Sequence, residues 1–103
     1  MAELKKVKKD GVTDKELRKA KDFVRGGTLL SLESSDEMAS FFGLQELMTG
    51  EILTAEQKFS MMEKVGTQDI KTVANDIFQN SKLNLAVIGP LKDKIGFEKI
   101  LKF

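Results

Sequence analysis

At 103 residues the chain is long enough for one small domain, and a hydrophobic share of 41% allows a modest core. Its 17 basic and 16 acidic residues leave a net charge of +1, so no overall field directs it to nucleic acid or to a membrane surface. The chain has no histidine and no cysteine. That excludes disulfides, Ser/His and Cys/His nucleophile pairs and the commonest metal ligand, and it leaves the redox compartment open.

Residues 2–9 form a short predicted helix stopped by Gly11, with the cluster Lys5-Lys6-Val7-Lys8-Lys9 on it. Asp10, Asp14 and Glu16 follow at once and the chain lacks Tyr and Trp, so the cluster reads as a solvated helix face rather than a nucleic-acid patch. Leu4 and Val7 stand isolated among lysines, which is unlike a signal peptide, and no run approaches the ~20 apolar residues of a membrane span. The compartment is therefore not fixed by the sequence.

Thr13-Asp14-Lys15-Glu16 is a capping box, and Leu17, Ala20 and Val24 then share a face. Gly26-Gly27 is expected to interrupt this helix. A second apolar pattern follows through Leu29, Leu30 and Leu32, with a further cap at Ser34-Ser35-Asp36-Glu37. Met38, Phe41, Phe42 and Met48 continue to a stop at Thr49-Gly50. Thr54-Ala55-Glu56-Gln57 opens a helix expected to bury Ala55, Phe59, Met62 and Val65 and to end at Gly66. Thr67 caps the next, where Ile70, Val73, Ala74, Ile77 and Phe78 give the cleanest amphipathic pattern in the chain. Lys71 is placed on the opposite, solvated face.

The run Leu83-Asn84-Leu85-Ala86-Val87-Ile88, closed by Gly89-Pro90, reads as a strand buried on both faces. No second strand is found to pair with it. Phe97, Ile100 and Leu101 predict a closing helix over 93–102 despite Gly96. The expected fold class is thus an α/β fragment, mostly helical with a single central-type strand, and residues 1–103 are taken as one partial domain.

Chemistry is sparse. Glu33, Asp36, Glu37, Glu46 and Glu51 come nearest to a carboxylate cluster, but beside serines and at helix starts they read as capping and solvated residues. Gly26-Gly27-Thr28 lacks the strand and the Gly-Lys-Ser/Thr of a phosphate loop. Met38, Met48, Met61 and Met62 could line a peptide groove, yet beside phenylalanines at helical spacing they read as core. No catalytic, cofactor-binding or metal-ligating residue is assigned.

The stretch ELRKAKDFVRGGTLLSLESSDEMASFFGLQELMTGEILTAEQ, with EKVGTQDIKTVANDIF and LNLAVIGPLKD, resembles the insulinase (pitrilysin-like) family of zinc metallopeptidases, which includes the mitochondrial processing peptidases and small bacterial relatives. The likeness runs over residues 3–103. Its most specific parts are Glu16-Leu17 with Lys19-Ala20-Lys21, the Leu32-Glu33-Ser34 turn, Gly43-Leu44-Gln45, Asp69-Ile70 and Ile88-Gly89-Pro90.

The resemblance implies the later half of an α/β domain of the LuxS/mitochondrial-processing-peptidase type, with the partners of the strand in an upstream half absent from this chain. It implies zinc in the parent enzyme, held by a His-x-x-Glu-His motif that a chain without histidine cannot contain. The Arg and Tyr that the second domain of such enzymes supplies to substrate are not matched by Arg18 or Arg25, and there is no tyrosine. The chain's end just after the closing helix leads to the expectation of the non-catalytic second domain rather than the zinc-bearing one.

The expected function is accordingly the non-catalytic C-terminal portion of a zinc metalloendopeptidase that degrades or processes peptides. Its partners would be the upstream half of its own domain, the zinc-bearing domain and, in the parent, a peptide substrate. As an isolated chain it is expected to form a homodimer, with residues 83–88 of two copies pairing or the closing helix exchanging. The competing reading is a free-standing helical protein-interaction module.

Overall fold

The computed structural model describes residues 1–90 and 94–102. Among them are six α-helices and one 3₁₀ turn: α1 (Ala2–Asp10), α2 (Asp14–Ser31), α3 (Ser35–Thr49), α4 (Ala55–Glu63), α5 (Thr67–Ile77), the turn Asn80–Lys82, and α6 (Lys94–Ile100). They fall into two compact units, one of Met1–Val12 with Thr67–Phe103 and the other of Thr13–Gly66.

The expected helix boundaries hold where adjacent residues encode them. At the start of α2 the Thr13 hydroxyl accepts from the Glu16 amide at 3.2 Å, and the Glu16 carboxylate accepts from the Thr13 amide at 2.8 Å. Thr54 and Gln57 repeat the exchange at α4, at 3.2 and 2.7 Å. Each box satisfies two amides that a helix start otherwise leaves open. Gly11 ends α1 at φ 81° and Gly50 ends α3 at φ 66°, left-handed positions that cost other residues strain.

Within the Thr13–Gly66 unit α2 packs on α4. Phe59 is 7% exposed and Ala55 is buried beside it on α4, while Met62 and Val65 are half-buried. The Arg25 guanidinium lies 5.3 Å from the Phe59 ring centre, and the Lys58 ammonium lies 4.7 Å from that of Phe41. Within the other unit α1 packs on α5, and Ala74 is buried. Lys8 Nζ donates to the Phe78 carbonyl at 2.6 Å, placing a cation at the negative end of α5.

Several expectations are corrected. Helix α2 runs unbroken through Gly26-Gly27. A glycine in a helix interior costs about 1 kcal/mol relative to alanine, which the capped, otherwise helix-favouring segment absorbs. The break falls instead at Leu32–Ser34, and Ser34 stands at the α3 N-cap without a side-chain bond. Helix α4 ends at Glu63, before Gly66. Lys71 is half-buried rather than solvated: its Cδ lies 3.7 Å from where a Cβ on Gly11 would sit.

The largest correction concerns residues 83–88. Among the described residues there is no strand, and the fold is helical rather than α/β. Leu83 is extended at φ −78°, ψ 128°, but a strand exists only through a ladder with a neighbour, and this segment joins none. It is not buried on both faces either. Leu83 is half-buried, and Asn84 to Pro90 are exposed. The closing helix is present as Lys94–Ile100, and its expected start at residue 93 lies outside the described residues.

Candidate functional site

No single concave site gathers the residues that the sequence singled out. Glu33, Asp36, Glu37, Glu46 and Glu51 are all exposed, with Asp36 and Glu37 in the first turn of α3, where the helix dipole favours carboxylates. Among the described residues no three acidic side chains come together to hold a metal ion. With no histidine or cysteine either, the residues present do not fit a zinc centre.

Gly26-Gly27-Thr28 lies inside α2, so there is no helix start for an anion to meet. Met38, Met48 and Met61 are exposed and Met62 is half-buried, so three of these four methionines are outside the core of this chain. Lys5, Lys8 and Lys9 border a cleft of about 430 Å³ with Asn75 and Asn80. Lys8 is committed there to the α5 carboxyl end. Among the described residues no helix is long and apolar enough to cross a membrane.

Two buried polar residues were not assigned a role by the sequence. Lys21 is 8% exposed on α2, donates to the Glu63 carbonyl at 3.0 Å and lies 3.7 Å from the Glu63 carboxylate. It joins α2 to the C-terminal end of α4. Arg18, one turn earlier and largely exposed, reaches the same carboxylate at 3.2 Å.

Gln45 is equally buried on α3. Its Nε2 donates to the Phe41 and Leu53 carbonyls at 2.9 and 3.2 Å, and its Oε1 accepts from the Leu53 amide at 3.1 Å. Gln45 therefore holds the 50–54 loop against α3. Charged or amide side chains at inward helical positions were the available signal.

Lys21→Met is expected to cost about 1–2 kcal/mol, the scale of a hydrogen bond with a charged donor partly offset by packing of the thioether. Arg18→Ala should stay within about 0.5 kcal/mol, because the pair it breaks is exposed. Urea midpoints for the two variants check the contrast.

What the surface offers instead is uncovered apolar area. Phe23 is 81% exposed, Leu47 82% and Met48 80%, and Leu30, Leu44 and Ile88 are exposed as well. Isolated apolar residues on a surface are ordinary, but so many large ones beside so small a core mark faces made to be covered. The described residues thus form helical pieces with structural cross-links and open apolar faces.

The comparisons with known proteins fit that character. The chain is 35% identical over 92 residues to an uncharacterized zinc protease of Streptomyces coelicolor, covering 89% of this chain and 20% of the relative. It is 30% identical over 89 residues to the mitochondrial-processing peptidase subunit beta of Saccharomyces cerevisiae, covering 86% and 19%. An uncharacterized zinc protease of Bacillus subtilis matches at 32% over 84 residues, covering 82% and 20%. The chain is a fragment of this insulinase-like family of zinc proteases and processing peptidases. It spans about a fifth of the length of the curated relatives it matches. No family model and no solved structure matches it.

Proposed function

We propose that this chain is a non-catalytic portion of a zinc-dependent metalloendopeptidase that degrades or processes peptides. Its role there is structural: it helps to form the wall of a chamber in which residues remote from the metal position an extended substrate. The observation that carries this reading is the match over more than four-fifths of the chain to relatives named zinc proteases or processing peptidase, in a sequence with no histidine to ligate zinc. The uncovered Phe23, Leu47 and Met48 support it, since a part of a larger fold leaves such faces for the remainder.

Elemental analysis after dialysis is expected to find no stoichiometric zinc in the 103-residue chain, and peptide substrates should remain intact. A longer polypeptide containing it should cleave peptides, lose that activity to a chelator and regain it with zinc. Zinc bound by this chain alone at one equivalent with micromolar affinity contradicts the proposal.

A free-standing helical interaction module is the second reading, favoured by the same exposed side chains. It would show a native gene product of this length and no zinc-dependent cleavage.

A further inference from the structure

Within the Thr13–Gly66 unit, the first two turns of α2 and the residues just past α4 border a cavity of about 490 Å³. Small-ligand pockets span roughly 300–1,000 Å³, so the space is large enough to matter. Asp14, Leu17, Arg18 and Lys21 stand at i, i+3, i+4 and i+7, a spacing that brings them to one side of α2, and all four line the cavity with Lys15 and Val65.

Lys21 is the buried cation of the group, at 8% exposure. An ammonium carries three N–H donors. The Glu63 carbonyl accepts from one at 3.0 Å, while the Glu63 carboxylate at 3.7 Å attracts the charge but lies beyond hydrogen-bond length. Donors therefore remain on a charge largely withdrawn from water, where ion pairs are screened least. Arg18 is also only partly used. Its Nη1 donates to both Glu63 oxygens at 3.3 and 3.2 Å, and among the described residues nothing accepts from its Nη2 or Nε. The wall thus holds three cations against the one carboxylate of Asp14, and Glu63 beside it still leaves one positive charge in excess. Leu17 and Val65, both half-buried, supply an apolar part.

We propose that this cavity binds a carboxylate carried on a small apolar body. Lys21 and Arg18 donate to the carboxylate oxygens, and Leu17 and Val65 pack against the body. A single excess charge beside apolar walls suits such a monoanion better than a phosphate group, which brings nearly two charges and no apolar surface. Two sources share this chemistry: a free organic acid, and the C-terminus of a peptide whose last side chain is apolar. The site is made by this chain's own residues and goes beyond its structural role, since it needs neither zinc nor cleavage.

The test is a titration of the isotope-labelled 103-residue chain with N-acetyl-L-leucine, followed through the amide signals of Leu17, Lys21 and Val65. These signals should shift saturably with the acid and stay in place with N-acetyl-L-leucinamide, which has the same body and no charge. Lys21→Met should weaken binding at least about tenfold, the scale of one charge-assisted hydrogen bond in a buried setting. Arg18→Gln, on a largely exposed side chain that the fold does not need, should weaken it several-fold. Lys9→Gln, in the other compact unit, should leave it unchanged. A hexapeptide ending in leucine that binds more tightly than the free acid, and loses this on amidation, identifies a peptide C-terminus as the source. Equal binding of the two acids identifies the free carboxylate.

Equal responses to the acid and its amide overturn the proposal, as do shifts that never saturate. Binding that survives both Arg18→Gln and Lys21→Met overturns it as well. None of these results bears on zinc-dependent cleavage by a longer polypeptide, which tests the functional reading separately.

Discussion

Phe59→Ala is expected to abolish cooperative unfolding of the chain or to lower its urea midpoint further than any other single truncation. At 7% exposure Phe59 is the one large apolar side chain among the buried apolar residues described, the others being Ala55 and Ala74. Removing a buried phenyl ring costs roughly 3–5 kcal/mol through lost transfer energy and the cavity left behind. The ring also carries the Arg25 guanidinium at 5.3 Å, a contact that disappears with it. A small domain has only about 5–15 kcal/mol of stability in total, and one with so little buried apolar surface sits low in that range. Leu47→Ala, at 82% exposure, should shift the midpoint by no more than about 0.5 kcal/mol. Equal midpoints for the two variants would contradict the packing of α2 on α4.

The second large effect is expected from Gln45→Ala, at about 2–3 kcal/mol. The amide side chain serves both the N–H and the carbonyl of Leu53, and truncation leaves those two main-chain groups without it in a partly buried setting. Each unsatisfied group costs about 1–3 kcal/mol, less whatever water recovers. Gln45→Glu separates the two bonds. A carboxylate still accepts from the Leu53 amide but faces the Phe41 and Leu53 carbonyls with lone pairs against lone pairs. It should therefore be destabilising as well. Faster amide exchange at Leu53 than at the capped start of α4 would place the damage in the 50–54 loop. A midpoint unchanged in both variants would mean that the loop holds without Gln45.

Features carried by neighbouring residues were legible in the sequence. Both capping boxes and both left-handed glycines follow from side chains and backbone within four positions of one another. The α5 stripe was legible too, but only Ala74 is buried; Ile70 and Phe78 are half-buried, and Val73 and Ile77 remain exposed. An apolar pattern records that a face needs cover, not what provides it. The same limit explains residues 83–88, where an apolar run was read as a strand although a ladder depends on a partner that the run cannot specify.

Gly26-Gly27 misled for a different reason. A glycine penalty is local and modest, and the rest of an 18-residue helix outweighs it. The inward helical positions of Lys21 and Gln45 were a cue to burial but not to their partners, which are main-chain groups 42 residues away for Lys21 and 8 for Gln45. Main-chain carbonyls leave no letter to read. Composition alone did show that no His-x-x-Glu-His motif can lie in this sequence, which has no histidine.

The most direct measurement is the intact mass of the native protein that carries this sequence, combined with its zinc content. The account predicts a polypeptide several-fold heavier than the 11.5 kDa of this chain, in keeping with relatives about five times its length, holding one zinc outside these 103 residues. A native product of 11.5 kDa that folds, persists and carries no zinc would contradict it.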